Sequence, residues 1–360
     1  MLIGVLIVIL VGVIVCFEIN LPYFAVIPGQ AQSVAPLLTV PKGHSHTFNG
    51  RLFLTDVGVG NVTVGNWLYY HFDSNAVLYP KSDFIESGTD QQQYDDQNVV
   101  EMEESQLTAA AVSLRQLGYD VPYHDAGVLV WATEAGTAAN SELIPGDVIT
   151  AVDGTGTPNV ETLQKVVQSF KAGQTVTLKV GTVDDPRKGR DVSLKLSSAR
   201  SDGRTVPVIG IQVFTQPGWT YPFHVSVSVN NIGGPSAGLV FTLGLINTLT
   251  GGDLTDGRTV AATGTICANG TIGQVGGVPQ KTIAVENAHA TVFLVPEAQV
   301  SQARSKANSS LHVYGVTTLS QALTDLEKMG GKLGSAKKGP PSGPGGHSLP
   351  GGVAPFPCGL

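Results

Sequence analysis

Sixteen consecutive apolar residues, Leu2 to Phe17, open the chain, and no other feature of the sequence restricts its fold as sharply. As a helix the run rises about 24 Å at ~1.5 Å per residue, a little under the ~30 Å hydrocarbon core of a bilayer. Glu18 interrupts it, and Ile19 and Leu21 prolong its apolar character. A buried core element is one reading and a cleaved signal peptide another. No small-x-small cleavage site follows closely, and Val15 before Cys16 does not suit a lipoprotein cysteine. The sequence therefore predicts a single-pass transmembrane signal anchor over 1–21, in the cell membrane, with the body of the chain extracytoplasmic. No Lys or Arg precedes the run, so the positive-inside rule casts no vote.

Behind this segment the chain is long enough for two or three cores. Residues 22–117 read as a membrane-proximal β/α region. The stretches 50–59 and 62–70 are rich in β-branched and aromatic residues and predict strands. An acidic run follows over 83–104, which reads as a solvated face or loop, and Val99–Leu117 reads as a helix stopped by Gly118. From Gly127 the pattern changes: a Gly-Val-Leu-Val strand, Pro145-Gly146-Asp147-Val148-Ile149, and Val152-Asp153-Gly154 closing a tight turn. A helix over 160–170 and a strand over 175–180 complete this unit. The last residues, 330–360, are rich in Gly, Pro, Ser and Lys and predict a disordered tail. Charge excludes one class of partner. With 21 Lys+Arg against 28 Asp+Glu, net −7, there is no basic footprint for nucleic acid. Three cysteines (16, 267, 358) in unrelated contexts argue against a disulfide scaffold, and no ligand spacing suggests a metal or another cofactor.

The chemistry concentrates in 224–298. An alternating strand, His224–Val229, runs into Asn231-Ile232-Gly233-Gly234-Pro235-Ser236-Ala237-Gly238 and an apolar helix over 239–249. Pro235 suits a first helical position, which puts Ser236 at a helix N-terminus. Free backbone N–H groups there could hold an oxyanion. The alternative is a Ser that merely caps the helix. Further on, a strand over 259–266 turns through Asn269-Gly270, and Lys281 opens a helix over 282–289. A solvated lysine is the ordinary reading. A desolvated lysine at the positive end of a helix is also a candidate for a lowered pKa, and a neutral amine can act as a general base for Ser.

Two resemblances follow from these motifs. The series over 118–200 resembles PDZ domains of the kind attached to bacterial proteases, which bind peptide ends by strand addition. In it Leu117-Gly118-Tyr119 is the candidate carboxylate-binding loop, with a helix-terminating turn as the competing reading. The Gly234-Pro235-Ser236-Ala237-Gly238 motif, with Thr263-Gly264, Gly276-Gly277 and Lys281, is similar to the Lon-type proteolytic domain, here taken over 201–329. The whole chain thus resembles the PDZ-containing, Lon-like serine proteases of bacterial membranes. That likeness implies Ser236 as nucleophile, Lys281 as general base, Thr263 as a support for the lysine, and an oxyanion hole around Ser236 and Ala237. Departures are visible: Asn231-Ile232-Gly233 stands where Lon sequences often carry an acidic residue, and Thr265 replaces the Glu of Thr-Gly-Glu. No Gly-x-x-x-x-Gly-Lys-Ser/Thr run occurs in these residues, so cleavage without ATP of accessible peptides or unfolded proteins is expected. A trypsin-like arrangement is disfavoured, since Gly233-Gly234 precede Ser236 and no Asp-His-Ser set is visible. A catalytically inactive PDZ peptide-binding scaffold is the other class of function. The expected fold class is α+β, and a homo-oligomer is conceivable by analogy with Lon rings. Strands from 50–70 could join the proteolytic sheet, which would make the PDZ unit an insertion.

Overall fold

The computed structural model describes residues 2–47, 50–201, 203–229 and 232–336. Most of the expected tail therefore lies outside the described residues. Helix α1 (Leu2–Glu18) leads directly into strand β1 (Asn20–Ser33), and β2 (Arg51–Thr63) returns antiparallel along it. Helix α2 (Val64–Phe72) and strand β3 (Val77–Pro80) follow, then the long helix α3 (Gln91–Gln116). Next come β4 (Tyr123–Thr133), β5 (Val148–Val152), helix α4 (Val160–Gln168), β6 (Thr175–Gly181), β7 (Arg190–Lys195) and β8 (Ile211–Trp219). The last part holds α5 (Gly238–Thr250), β9 (Thr259–Ala262), α6 (Val278–Asn287), β10 (Val292–Pro296), β11 (His312–Val316) and α7 (Leu319–Lys328).

Six strands form the main sheet, in the order β11-β10-β9-β2-β1-β3. β2, β9, β10 and β11 run parallel, and β1 pairs antiparallel on both sides. Parallel strands need both faces covered, and the sequence supplies two apolar sets. Leu52, Leu54, Val260, Ala262, Val292 and Leu294 pack towards α5 and α7, whereas Ala261, Phe293 and Val295 pack towards α6. Helix α5 is buried on nearly every side, which explains its lack of a polar face. The region read as membrane-proximal thus contributes β1, β2 and β3 to the same sheet as residues 259–316. Segment 51–63 joins that sheet as the sequence suggested, and the β4–β8 unit is inserted between its two halves.

The inserted unit is a second sheet, in the order β8-β4-β5-β6-β7, over its own core of Val128, Ile149, Leu163, Val167 and Leu178. Helix α4 turns Leu163 and Val167 into this core, and β8 lies beside the helix start, where Val160 N–H donates to Thr215 Oγ1 at 3.2 Å.

Several local expectations give way. The strand read over 62–70 ends at Thr63, whose hydroxyl forms a capping box with Asn66 and starts α2. Residues 224–229 pair only at Ser226–Val227. The cysteines are not all independent: Cys16 is a free thiol and Cys267 is disulfide-bonded. A helix was expected at the chain start, and α1 is one, but it has 17 residues, and among the described residues no helix is long and apolar enough to cross a membrane.

The acidic run also differs from a solvated loop. Asp90 caps α3, and the helix crosses from one core to the other. Gln93 accepts a bond from Thr133 N–H at 2.9 Å, Gln97 donates to the Trp131 carbonyl at 3.0 Å, and Gln216 of β8 donates to Glu104. Glu104 is buried, and desolvation pushes its carboxyl up to about 7. Between its unfolded value near 4.5 and about 7, the folded chain holds a proton that the unfolded chain lacks. Stability therefore falls as pH rises through that window. Glu104→Gln keeps the acceptor for Gln216 and removes the charge. It is expected to raise stability at pH 8 by up to ~3 kcal/mol, with the gain vanishing towards pH 4. Thermal unfolding of both proteins across this pH range checks it, and an equal Tm at pH 8 would sink it.

Candidate active site

Ser236 lies in the turn just before α5 and is half-buried. The helix begins at Gly238 with Ala237 as its N-cap and no side-chain cap bond. The capping reading of Ser236 therefore fails, and Pro235 stands outside the helix rather than at its first position. Among the described residues no acceptor takes the Ser236 hydroxyl, nor the N–H groups of Ser236 and Ala237. A serine hydroxyl and two unclaimed backbone donors, among the described residues, share one turn.

Two elements hold that turn in place. From α3, the Asn98 carbonyl accepts the Gly234 N–H at 2.7 Å and Ser105 Oγ donates to the Pro235 carbonyl at 3.1 Å. From the β9 end, the Ser236 carbonyl accepts the Gly264 N–H at 2.9 Å and the Thr263 hydroxyl at 3.2 Å. Asn98 and Ser105 are seven residues apart, two turns along one face of α3. Gly238 is where the turn closes against its neighbours: a Cβ there would meet Ile266 Cγ2 at 2.7 Å and the Ile266 N at 2.9 Å. Since backbone cannot yield cheaply, Gly238→Ala is expected to displace the turn. It should lower kcat/KM at least ~10-fold and cost about 1–3 kcal/mol of stability. Steady-state kinetics with a melting curve tests this; unchanged kinetics would refute the tight closure.

Lys281 approaches from the opposite helix. α6 starts at Val278, earlier than the sequence suggested, so Lys281 is its fourth residue, with its N–H bonded to the Gly277 carbonyl at 2.9 Å. Its side chain is 2% exposed. Nζ donates to Thr263 Oγ1 at 3.2 Å. Burial lowers the amine to about 7, opposed only in part by the charge of Asp56. Thr263 is fully buried and stands between the two candidates, accepting from Lys281 and donating to the Ser236 carbonyl. Among the described residues no direct bond joins Lys281 Nζ to Ser236 Oγ.

Four contributors were not legible as site residues. Asn98 sits in the acidic run and Ser105 directly after it, and their seven-residue spacing marks only a shared helix face. Thr55 and Asp56 belong to β2: Thr55 Oγ1 donates to the Lys281 carbonyl at 3.4 Å, and Asp56 is the charge felt by the amine. Only the pairing of β2 with β9 brings them there.

Leu117-Gly118-Tyr119 does not form a carboxylate cradle. Gly118 N–H bonds to the Arg115 carbonyl at 3.0 Å and Tyr119 N–H to the Leu114 carbonyl at 3.0 Å, which is a Schellman ending of α3. Their donors are already used. Tyr119 is buried in the main core with its ring edge-on to Phe223 at 5.2 Å, and Leu117 packs against the same cluster. The competing reading, a helix-terminating turn, is the observed one. His224 is near Ser226, with 3.4 Å between Nε2 and Oγ, and is not tied to Ser236. Among the described residues no cluster could hold a metal ion.

Comparison with known proteins resolves the two units. Residues 219–326 match the Lon protease (S16) C-terminal proteolytic domain, and residues 115–197 match the PDZ domain. The chain joins a PDZ domain to a Lon-type proteolytic domain. Over 103 residues it is 32% identical to Lon protease 1 of Sorangium cellulosum (strain So ce56), covering 28% of this chain and 12% of that protein. Over 68 residues it is 37% identical to the serine protease Do-like HtrA of Lactobacillus helveticus, covering 19% of this chain and 15% of that one. The chain thus spans less than a sixth of the length of these relatives. Among solved structures, the PDZ domain of an SdrC-like protein from Listeria monocytogenes is 27% identical, covering 24% of this chain and 87% of its own, with a TM-score of 0.22. Residues 219–326 are thus similar to the proteolytic domain of Lon proteases.

Proposed function

We propose that the chain is a membrane-associated serine endopeptidase that cuts accessible peptides and unfolded proteins without ATP, with Ser236 as nucleophile and Lys281 as general base. One observation carries this reading: a lysine amine, buried and brought down to about 7, shares Thr263 with the turn that bears a free serine hydroxyl. At pH 8 most of the amine is neutral. Its N–H bond to Thr263 Oγ1 directs the nitrogen lone pair away from Thr263 and leaves it for the Ser236 proton. Lys281 takes that proton as Ser236 Oγ attacks the peptide carbonyl, and the resulting oxyanion accepts the N–H groups of Ser236 and Ala237. The ammonium returns its proton to the leaving amine. A water then gives a proton to Lys281 and attacks the acyl-enzyme ester, the acyl C–O bond breaks, and the ammonium returns the proton to Ser236 Oγ.

The PDZ unit supplies peptide recognition in this reading. β8 is an edge strand of its sheet with α4 alongside, the arrangement to which a peptide end adds as a further strand. Membrane association rests on α1, whose large apolar side chains among the described residues, such as Ile3, Leu6, Leu10 and Phe17, are exposed. The absence of a nucleotide-binding lysine motif from these residues supports cleavage without ATP. The test is cleavage of casein and an unfolded peptide by the full chain in detergent, without nucleotide, beside Ser236→Ala and Lys281→Ala. Loss in both variants supports the dyad; activity retained in either overturns it.

A further inference from the structure

Helix α2 has nine residues, Val-Gly-Asn-Trp-Leu-Tyr-Tyr-His-Phe, and none of them is buried. That is unusual for so apolar a segment. Leu68, Tyr69 and Phe72 are 57, 68 and 77% exposed, and the helix contains no Asp, Glu, Lys or Arg. A helix stays out of its own core in this way when something else covers it.

Its position says what. Val64 N–H bonds to the Ile19 carbonyl at 3.0 Å, pinning the start of α2 to the point where α1 becomes β1. A Cβ on Gly65 would fall 2.8 Å from three ring carbons of Phe17, so glycine lets the two helices cross in contact. α2 is thereby fixed beside the last turn of α1, so that two stretches without charged residues, Leu2–Phe17 and Val64–Phe72, meet at Phe17 and Gly65. Charge resumes on either side, at Glu18 and at Asp73. Trp, Tyr and Phe concentrate here, the amphipathic rings that settle between headgroups and acyl chains.

We propose that α2 lies in the interfacial layer of a lipid bilayer, as an aromatic collar around the place where α1 emerges. The collar sets the height and tilt of the proteolytic sheet, since β1 and β2 begin and end at it. α1 rises about 25 Å, short of a ~30 Å core, and a bilayer thinned locally at the collar meets it. This rests on the membrane association proposed for α1 and adds a second contact that α1 does not require.

The experiment uses the full chain reconstituted in phosphatidylcholine–phosphatidylglycerol vesicles, half of whose lipid is brominated near the headgroup end of the acyl chain. Trp67 is one of three tryptophans, and the other two belong to the inserted unit and its exit strand. The expected result is that brominated lipid quenches the emission of one tryptophan, and that this quenchable component is lost in Trp67→Phe. Equal quenching of the two proteins, with both floating with the vesicles, overturns the collar and leaves the α1 anchor standing. Failure of the wild type to float overturns both, while the casein assay in detergent still reports on the dyad. Iodide protection of Trp67 that tracks protein concentration without lipid identifies a second copy as the occupant and likewise overturns the collar.

Discussion

Replacing Lys281 by Met is expected to abolish peptide cleavage and yet yield a protein that unfolds at a higher temperature than the wild type at pH 7. The two effects have one cause. The amine is fully desolvated, and its pKa falls from 10.5 to about 7 on folding. Between those values the unfolded chain binds a proton that the folded chain does not, so wild-type stability rises with pH from about 7 to about 10. At pH 7 the folded state therefore bears a cost of up to ~4 kcal/mol, at ~1.4 kcal/mol per pKa unit. Methionine fills the same space, carries no charge and relieves that cost. Activity should follow the free base, with kcat/KM climbing through pH 7 to a plateau. A Lys281→Met protein that melts below the wild type at pH 7, or retains a tenth of its activity, would contradict this account.

Ser236→Ala should reduce kcat/KM by at least ~10³-fold, the scale seen when a nucleophile is removed and only binding and an oxyanion site remain. Stability should change by no more than ~0.5 kcal/mol, since the hydroxyl has no hydrogen-bond partner among the described residues and caps nothing. The contrast separates a nucleophile from a structural serine: the latter would cost about 1 kcal/mol and little activity. A serine-directed phosphonate should label the wild type and spare the variant. Labelling that survives in Ser236→Ala would move the nucleophile elsewhere.

What the sequence disclosed depended on range. The turn Gly233–Gly238 and Lys281 were legible because Gly, Pro and Ser in that order have few conformations, and a lysine early in an apolar helix is out of place. The PDZ pattern was legible for the same local reason. Thr55 and Asp56 were not: nothing in β2 distinguishes them from any half-buried strand residue, and their role exists only because β2 pairs with β9, some two hundred residues away. The acidic run misled for a different reason. Charge density predicts solvation on average, but Glu104 faces Gln216 across two packed units, a partner no local pattern announces. Leu117–Tyr119 misled because a Schellman ending and a carboxylate loop draw on the same Gly-centred sequence.

The parallel seam between Arg51–Ala261 residues has a temporal consequence. A chain emerging from the ribosome exposes β1 and β2 first, then a complete PDZ unit able to close on its own core, and only much later the strand that β2 awaits. Pairings of such long separation form slowly and late. The surroundings of the Lys281 amine, contributed by Thr55 and Asp56 early and by Thr263 and Lys281 late, cannot exist in any nascent chain that has not yet reached Lys281. On the function proposed above, a chain assembled in this order is silent throughout its own synthesis and becomes competent only when the last strands dock. Its latency during translation thus needs no inhibitory segment.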